Sequence, residues 1–167
     1  MMLQTPFPAR GSAFVQPAVH VLHPGDVACG ERGDRLETLL GSCVAIILTD
    51  PRRTIGAMCH VVHTGLLSHP SRLSTCHGDN AMGAMFARLH QRGISPALCD
   101  AYLYGGGNLF PAQYGAHNVG TANVRWAHAV LDAMGIPVLG SDTGGNAYRR
   151  LSWTVGNQPP AVACVSV

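Results

Sequence analysis

The stretch TLLGSCVAIILTDP (Thr38 to Pro51) places Cys43 after the small residues Gly41 and Ser42 and before the near-continuous apolar run Val44 to Thr49. A structural cysteine fits inside such a run; this one stands at its entrance, where a substrate can reach it. A thiol becomes a nucleophile when a neighbouring base takes its proton and its surroundings leave it accessible. The glycine-bounded turn supplies the access, and backbone N–H groups around Gly41 and Ser42 can hold a developing oxyanion. The base should be a histidine, of which there are nine. His60 lies on the run that the DPRR turn (Asp50 to Arg53) folds back beside Val44 to Thr49. Two arms of about eight residues then meet at their open ends, bringing thiol and imidazole to the same end of a hairpin.

Pattern alone leaves other readings open. A cysteine beside an apolar run is commonly a buried strand residue, and a histidine on a strand commonly has a purely structural hydrogen bond. Asp142 with Gly144 and Gly145 reads as a tight turn, whose carboxylate can also cap or support a site. The sharpest rival is zinc: Cys59, His60, His63, His69, Cys76 and His77 crowd one segment, and all are ligand types that zinc accepts. Against it, residues three apart on a strand point to opposite faces, so His60 and His63 diverge. Neither a CxxC pair nor an HExxH motif is present, so no metal and no other cofactor is expected.

These residues need elements to position them. His20 to Ala28 reads as a short strand broken by HPGD (His23 to Asp26). Leu36 to Leu40 leads into the GSC turn, and Val44 to Thr49 with Ile55 to His63 form the hairpin. A Ser-, His- and Gly-rich loop runs from His63 to Asn80. A helix capped by Asp79 or Asn80 follows, with Met82, Met85, Phe86 and Leu89 at helical spacing before Gly93. Ala101 to Tyr104 is a strand leading into Gly105 to Gly107. Asn118 to Met134 is a second helix, with Val119, Ala122, Trp126, Ala129, Val130 and Ala133 on one face. Ile136 to Leu139, Leu151 to Val155 and Ala161 to Val167 complete the strands, with SDTGGNAYRR (Ser141 to Arg150) as a loop. Two β-α-β passages among antiparallel hairpins define an α+β class: an α/β sandwich with a mixed, largely antiparallel sheet and two main helices.

Composition narrows the function classes. The 167 residues suit one domain with a real core, here 20–167, preceded by a loose Pro-, Ala- and Gln-rich arm at 1–19. Hydrophobic residues make up 47% and charged ones 12%, which excludes a disordered chain. The formal charge is only +2, and the eleven basic residues, all arginine, cluster no further than pairs. Nucleic acid is therefore not an expected partner. No window suits a membrane span, and the N-terminus lacks the apolar core of a secretory signal. A cytoplasmic monomer with reduced thiols is expected, most of its six cysteines acting as small buried hydrophobes.

LGSCVAIILTDPRRTIGAMCHVV carries a GSCV cysteine followed by the histidine of GAMCH, His60. YLYGGGNLF (Tyr102 to Phe110), VGTANVRWAHAVLDAMGIPVLGSDTGG (Val119 to Gly145) and Arg149 follow in order. Together they resemble the CheD family of chemoreceptor glutamine deamidases, over roughly residues 20–167. The resemblance implies Cys43 as nucleophile, His60 as general base and Thr38 as the residue that orients the imidazole. It implies an α/β sandwich like the catalytic domain of cytotoxic necrotizing factor toxins. The implied reaction is hydrolysis of receptor glutamine side chains to glutamate through a thioester, with receptor methyl-ester hydrolysis as a side activity. Methyl-accepting receptors are the implied substrates and a CheC-type phosphatase the implied partner, so a non-catalytic adaptor is the alternative role. The chain departs from the family pattern at HVVHTGLLSHPSRLSTCHGDN (His60 to Asn80), a loop expected to border the site and bear on substrate choice.

Overall fold

The computed structural model describes residues 15–65, 74–114 and 118–166. Most of the N-terminal arm, and His69 with its neighbours in the His-rich loop, lie outside the described residues. The elements run β1 (Val19–Leu22), β2 (Val27–Glu31), β3 (Arg35–Leu40), β4 (Val44–Thr49), β5 (Ile55–Val61) and α1 (Gly78–His90). After a 3-10 turn at Pro96–Leu98 come β6 (Asp100–Gly105), α2 (Pro111–Tyr114), α3 (Val119–Ala133), β7 (Val138–Thr143), β8 (Ala147–Thr154) and β9 (Ala161–Ser166).

The strands form two sheets, one ordered β1-β3-β8-β9 and the other β2-β5-β4-β6-β7. Among the strands of the described residues, β1-β3 and β6-β7 pair in parallel and the other five pairings are antiparallel. The central strand β4 is buried at every position because both of its faces are covered. Val44, Ile46 and Leu48 pack with Met82, Met85, Leu89, Ala127 and Leu131 of the helices. Ala45 and Ile47 join Leu36, Leu40, Leu151 and Trp153 in a second core between the sheets. A continuous apolar run is what a strand buried on two faces requires. The chain is thus an α+β sandwich of three layers: helices, five strands, four strands.

The β4–β5 hairpin has the boundaries read from the sequence at three of its four ends, and its turn explains why. The Asp50 carboxylate accepts from the Thr54 N–H (2.7 Å), the Thr54 hydroxyl (2.8 Å) and the Ile55 N–H (2.9 Å). Burial pushes its pKa up, but these bonds outweigh it and the net shift is down. The ionised side chain closes the turn and fixes the register in which Ala45 faces His60.

Several other boundaries differ from the sequence reading. The HPGD break separates strands of different sheets, so β1 and β2 are a crossing between layers rather than one interrupted strand. Helix α1 starts earlier, with His77 at its N-cap position. Asp79 lies inside the first turn, where it accepts the Trp126 indole N–H of α3 at 3.1 Å. Strand β7 runs later than Ile136 to Leu139, and β8 begins at Ala147. Arg149 and Arg150 are therefore strand residues. In α3, Asn118 is the N-cap, its side chain accepting from the Thr121 N–H. The buried face, however, is Gly120, Asn123, Ala127 and Leu131, while Val119, Ala122, Ala129 and Ala133 are exposed.

That rotation of α3 follows from a backbone-to-backbone approach. A β-carbon on Gly120 would lie 2.5 Å from the Gly106 carbonyl oxygen and 2.6 Å from that of Gly107. The obstacle is main chain, which cannot swing aside. Gly120→Ala is therefore expected to cost about 1–3 kcal/mol through overpacking, more than the helix propensity that alanine adds. At this chain length that lowers Tm by roughly 2–4 °C per kcal/mol. An unchanged melting temperature in calorimetry would contradict the packing described.

Candidate active site

The three residues singled out in the sequence come from both sheets and meet at one end of the inter-sheet layer. His60 on β5 faces the same side as Met58, toward the four-stranded sheet. There, Thr38 of β3 reaches it across the gap: Thr38 Oγ1 lies 2.8 Å from His60 Nδ1 and 2.9 Å from the Leu22 carbonyl oxygen. A hydroxyl has one proton to give. The Leu22 carbonyl can only accept, so Thr38 donates there and accepts from His60 Nδ1–H. That assignment places the proton of neutral His60 on Nδ1 and leaves a lone pair on Nε2. His60 is 2% exposed, and its Nε2 is a buried atom with no hydrogen-bond partner among the described residues.

Cys43 continues β4 by one residue beyond Val44 and packs against the inter-sheet core. Because Ala45 is the cross-strand partner of His60, Cys43 is the diagonal neighbour on the same face. Diagonal positions are about 7–8 Å apart, within reach of an imidazole. Burial raises the Cys43 pKa, with the nearby Cys76 adding to the shift, while its own backbone N–H acts the other way. Burial lowers that of His60, against the Leu22 carbonyl and Asp26, which favour the charged ring. Both shifts favour the neutral thiol and neutral imidazole over a thiolate–imidazolium pair.

The turn before the thiol is held by its carbonyls. Gly41 accepts from Gly107 N–H at 2.8 Å and Cys43 from Gly106 N–H at 2.7 Å. Ser42 accepts from the Asn123 amide at 3.0 Å. Glycine is needed at 105, where φ is +108° and a β-carbon would lie 2.2 Å from the Cys43 carbonyl oxygen. Gly41 and Ser42 thus contribute through main chain.

Asp142 lies farther off, on β7, opposite Tyr104 of β6. Its Oδ1 accepts from Arg149 Nε at 3.1 Å and Nη2 at 2.8 Å, and Oδ2 accepts from the Cys164 thiol at 3.4 Å. The Arg149 hydrogen bond, foremost, holds its carboxyl below the usual range. Asp142 and Arg149 therefore tie one sheet to the other at the same end of the sandwich as the thiol.

The segment that suggested zinc separates by face and depth. Cys59 points into the helix-side core, its thiol pushed up to about 12 by burial, and Cys99 to about 11 by the same cause. His63 and His77 instead lie ring to ring at 5.9 Å. Among the described residues, no group of three or more His, Cys, Asp or Glu side chains is placed to hold a metal.

Two contributors escaped the sequence reading. The Leu22 carbonyl has no side-chain signature. Asn123 had one: an amide within a helix face otherwise made of Gly120, Ala127 and Leu131.

Fold and site together define an α+β sandwich with a cysteine, a histidine and a threonine gathered at one end of its inter-sheet layer. Residues 67–159 match the model of the CheD chemotactic sensory transduction family. "Probable chemoreceptor glutamine deamidase CheD 2" of Albidiferax ferrireducens is 37% identical over 140 residues, covering 81% of each chain. Relatives described as "Probable chemoreceptor glutamine deamidase CheD" are 35% identical in Pseudomonas savastanoi pv. phaseolicola, over 82% of this chain and 79% of that one. In Methanococcus vannielii the identity is 34%, over 76% of this chain and 82% of the relative. The family-model match begins downstream of Cys43 and His60. A stretch covering 81% of a 167-residue chain, by contrast, includes Thr38, Cys43 and His60 wherever it begins. The chain belongs to the CheD family. Among the described residues, no helix is long and apolar enough to cross a membrane.

Proposed function

We propose that this chain hydrolyses specific glutamine side chains of chemoreceptor cytoplasmic regions to glutamate, with Cys43 as nucleophile, His60 as base and Thr38 as the residue that orients it. The observation that carries this reading is the Thr38 bridge from Leu22 to His60 Nδ1, which leaves a buried Nε2 lone pair, without a partner among the described residues, on the same face as the thiol. A purely structural histidine gains nothing from that arrangement, since an unsatisfied buried acceptor costs about 1–3 kcal/mol.

The reaction starts from the neutral pair. His60 Nε2 takes the Cys43 proton as the sulfur attacks the side-chain amide carbon, and the Cys43 backbone N–H receives the oxyanion. The imidazolium then protonates the amine, ammonia leaves, and a thioester remains on Cys43. Water attacks that thioester, gives its proton to His60, and releases glutamate and the free thiol. A receptor glutamyl methyl ester would form the same thioester, with methanol leaving instead of ammonia.

The test is to incubate the purified chain with a receptor cytoplasmic fragment and follow each glutamine by peptide mass. Replacing NH2 by OH adds about 1 Da and releases one ammonia. No gain on any glutamine would overturn the reading. Thr38→Val probes the bridge: it keeps the shape but removes the acceptor for Nδ1–H. Misorienting the imidazole is expected to lower kcat by up to about 100-fold, with KM little changed. Thr38→Ser, which restores the hydroxyl, should recover most of the loss.

A further inference from the structure

Asn123 lies in the middle of α3 and is only 1% exposed. Its side-chain NH2 donates to the Ser42 carbonyl at 3.0 Å and to the Val62 carbonyl at 3.0 Å. Its Oδ1 is left for a longer contact from the Thr64 hydroxyl at 3.4 Å. One side chain thus joins the residue before the nucleophile to the chain just beyond the base. Val62 is held on its other side as well, its N–H donating to the Cys76 carbonyl at 2.9 Å.

The consequence follows from the planar peptide. Within one trans peptide unit, the carbonyl of a residue and the N–H of the next point in opposite directions. Asn123 draws the Ser42 carbonyl toward α3, on the helix side of the five-stranded sheet. The Cys43 N–H must then point to the other side, which is the side of the inter-sheet layer where the Cys43 side chain packs. A carbonyl carbon attacked by Cys43 Sγ would carry its oxyanion there.

We propose that Asn123 is a positioning residue that aims the Cys43 N–H as the oxyanion donor, by holding the Ser42 carbonyl toward α3. The bond to Val62 registers that donor against the strand of His60. His60 itself keeps its Thr38 bond and its place in the sheet without Asn123. The proposal therefore separates two properties of the site: oxyanion binding depends on Asn123, whereas the reactivity of the thiol toward an agent that forms no oxyanion does not. It rests on the acyl-transfer reading given above.

The experiment compares wild type, Asn123→Ala and Asn123→Ser in three reactions of the folded protein. These are deamidation of the receptor fragment, acylation of Cys43 by p-nitrophenyl acetate, and alkylation of Cys43 by iodoacetamide, the last two followed on the Cys43 peptide by mass. Asn123→Ala is expected to lower kcat for deamidation, and the acylation rate, by about 100-fold. KM and the alkylation rate should stay within about threefold of wild type. Asn123→Ser, which keeps a single shorter donor, should fall between the two. A parallel fall in alkylation, or no fall in acylation, would overturn the proposal, as would failure of both variants to fold. If wild type is acylated but does not deamidate the receptor fragment, the receptor reading fails while the Asn123 comparison still stands.

Discussion

Cys43→Ala is expected to remove deamidation altogether, a loss of at least about 10⁴-fold in kcat, since no other group can form the thioester. Five other cysteines are present, but none can take over. Cys59 and Cys99 are buried thiols with strongly raised pKa values. Cys29 faces the helix-side core. Cys76 is near Cys43 but comes from the loop before α1, with its thiol turned to the Pro24 carbonyl, and Cys164 is tied to Asp142 on another segment. The substitution deletes one sulfur from a half-buried position, so the fold should survive and the melting temperature should move by only a few degrees. The mass assay on receptor peptides decides the matter: residual conversion at the wild-type rate would remove Cys43 from the mechanism.

His60→Asn is the second large effect, and its pH dependence is as informative as its size. Asparagine can still donate to Thr38 from a similar position, but it cannot accept the thiol proton. The expected fall in kcat is about 10²- to 10⁴-fold. In the wild type, burial holds the His60 pKa below its usual value of about 6.5. Activity should therefore persist into mildly acidic solution and fall only when Nε2 is protonated. The same shift enters stability with a definite sign. Between the lowered folded pKa and about 6.5 the unfolded chain binds more protons than the folded one. Stability then rises with pH through that window and is lost as pH falls through it. In His60→Asn this dependence should vanish, flattening Tm against pH below about 6.5 relative to wild type. An acid limb of activity that survives the substitution would assign the titration to another group.

Much of this site could be read from the chain because its two central residues belong to one hairpin. Local signals fix that hairpin: an apolar run of one strand's length, the Asp50 turn, and an alternation that puts Ala45 opposite His60. Thr38 was different. It belongs to the other sheet, twenty-two residues from His60, and only the resemblance to a family pointed to it. Nothing local distinguishes a threonine that packs from one that bridges. Partner surfaces also decided the errors. The exposed alanines of α3 fit a helical stripe as well as the buried ones do, until Gly106 and Gly107 select the Gly120 face. The break at HPGD looked like an interruption, because a sequence does not record which sheet receives each strand. Asn123 was visible as a polar residue on an apolar stripe, but its meaning depended on two carbonyls sixty or more positions away.

The Thr38–His60 bond has a further consequence because it crosses from one sheet to the other. The distance between the layers is set by the side chains filling the space between them, from Leu36 and Leu40 to Tyr102, Leu151 and Trp153. Any change in their combined bulk tilts or spreads the sheets and is felt at a 2.8 Å contact far from the altered residue. With Thr38 and His60 in the roles proposed above, the filling of the sandwich bears on reactivity as well as on folding. Over generations, a gain in volume on one sheet would have to be matched by a loss on the other for the imidazole to keep its aim, whereas the outer face of the four-stranded sheet could drift without touching the chemistry.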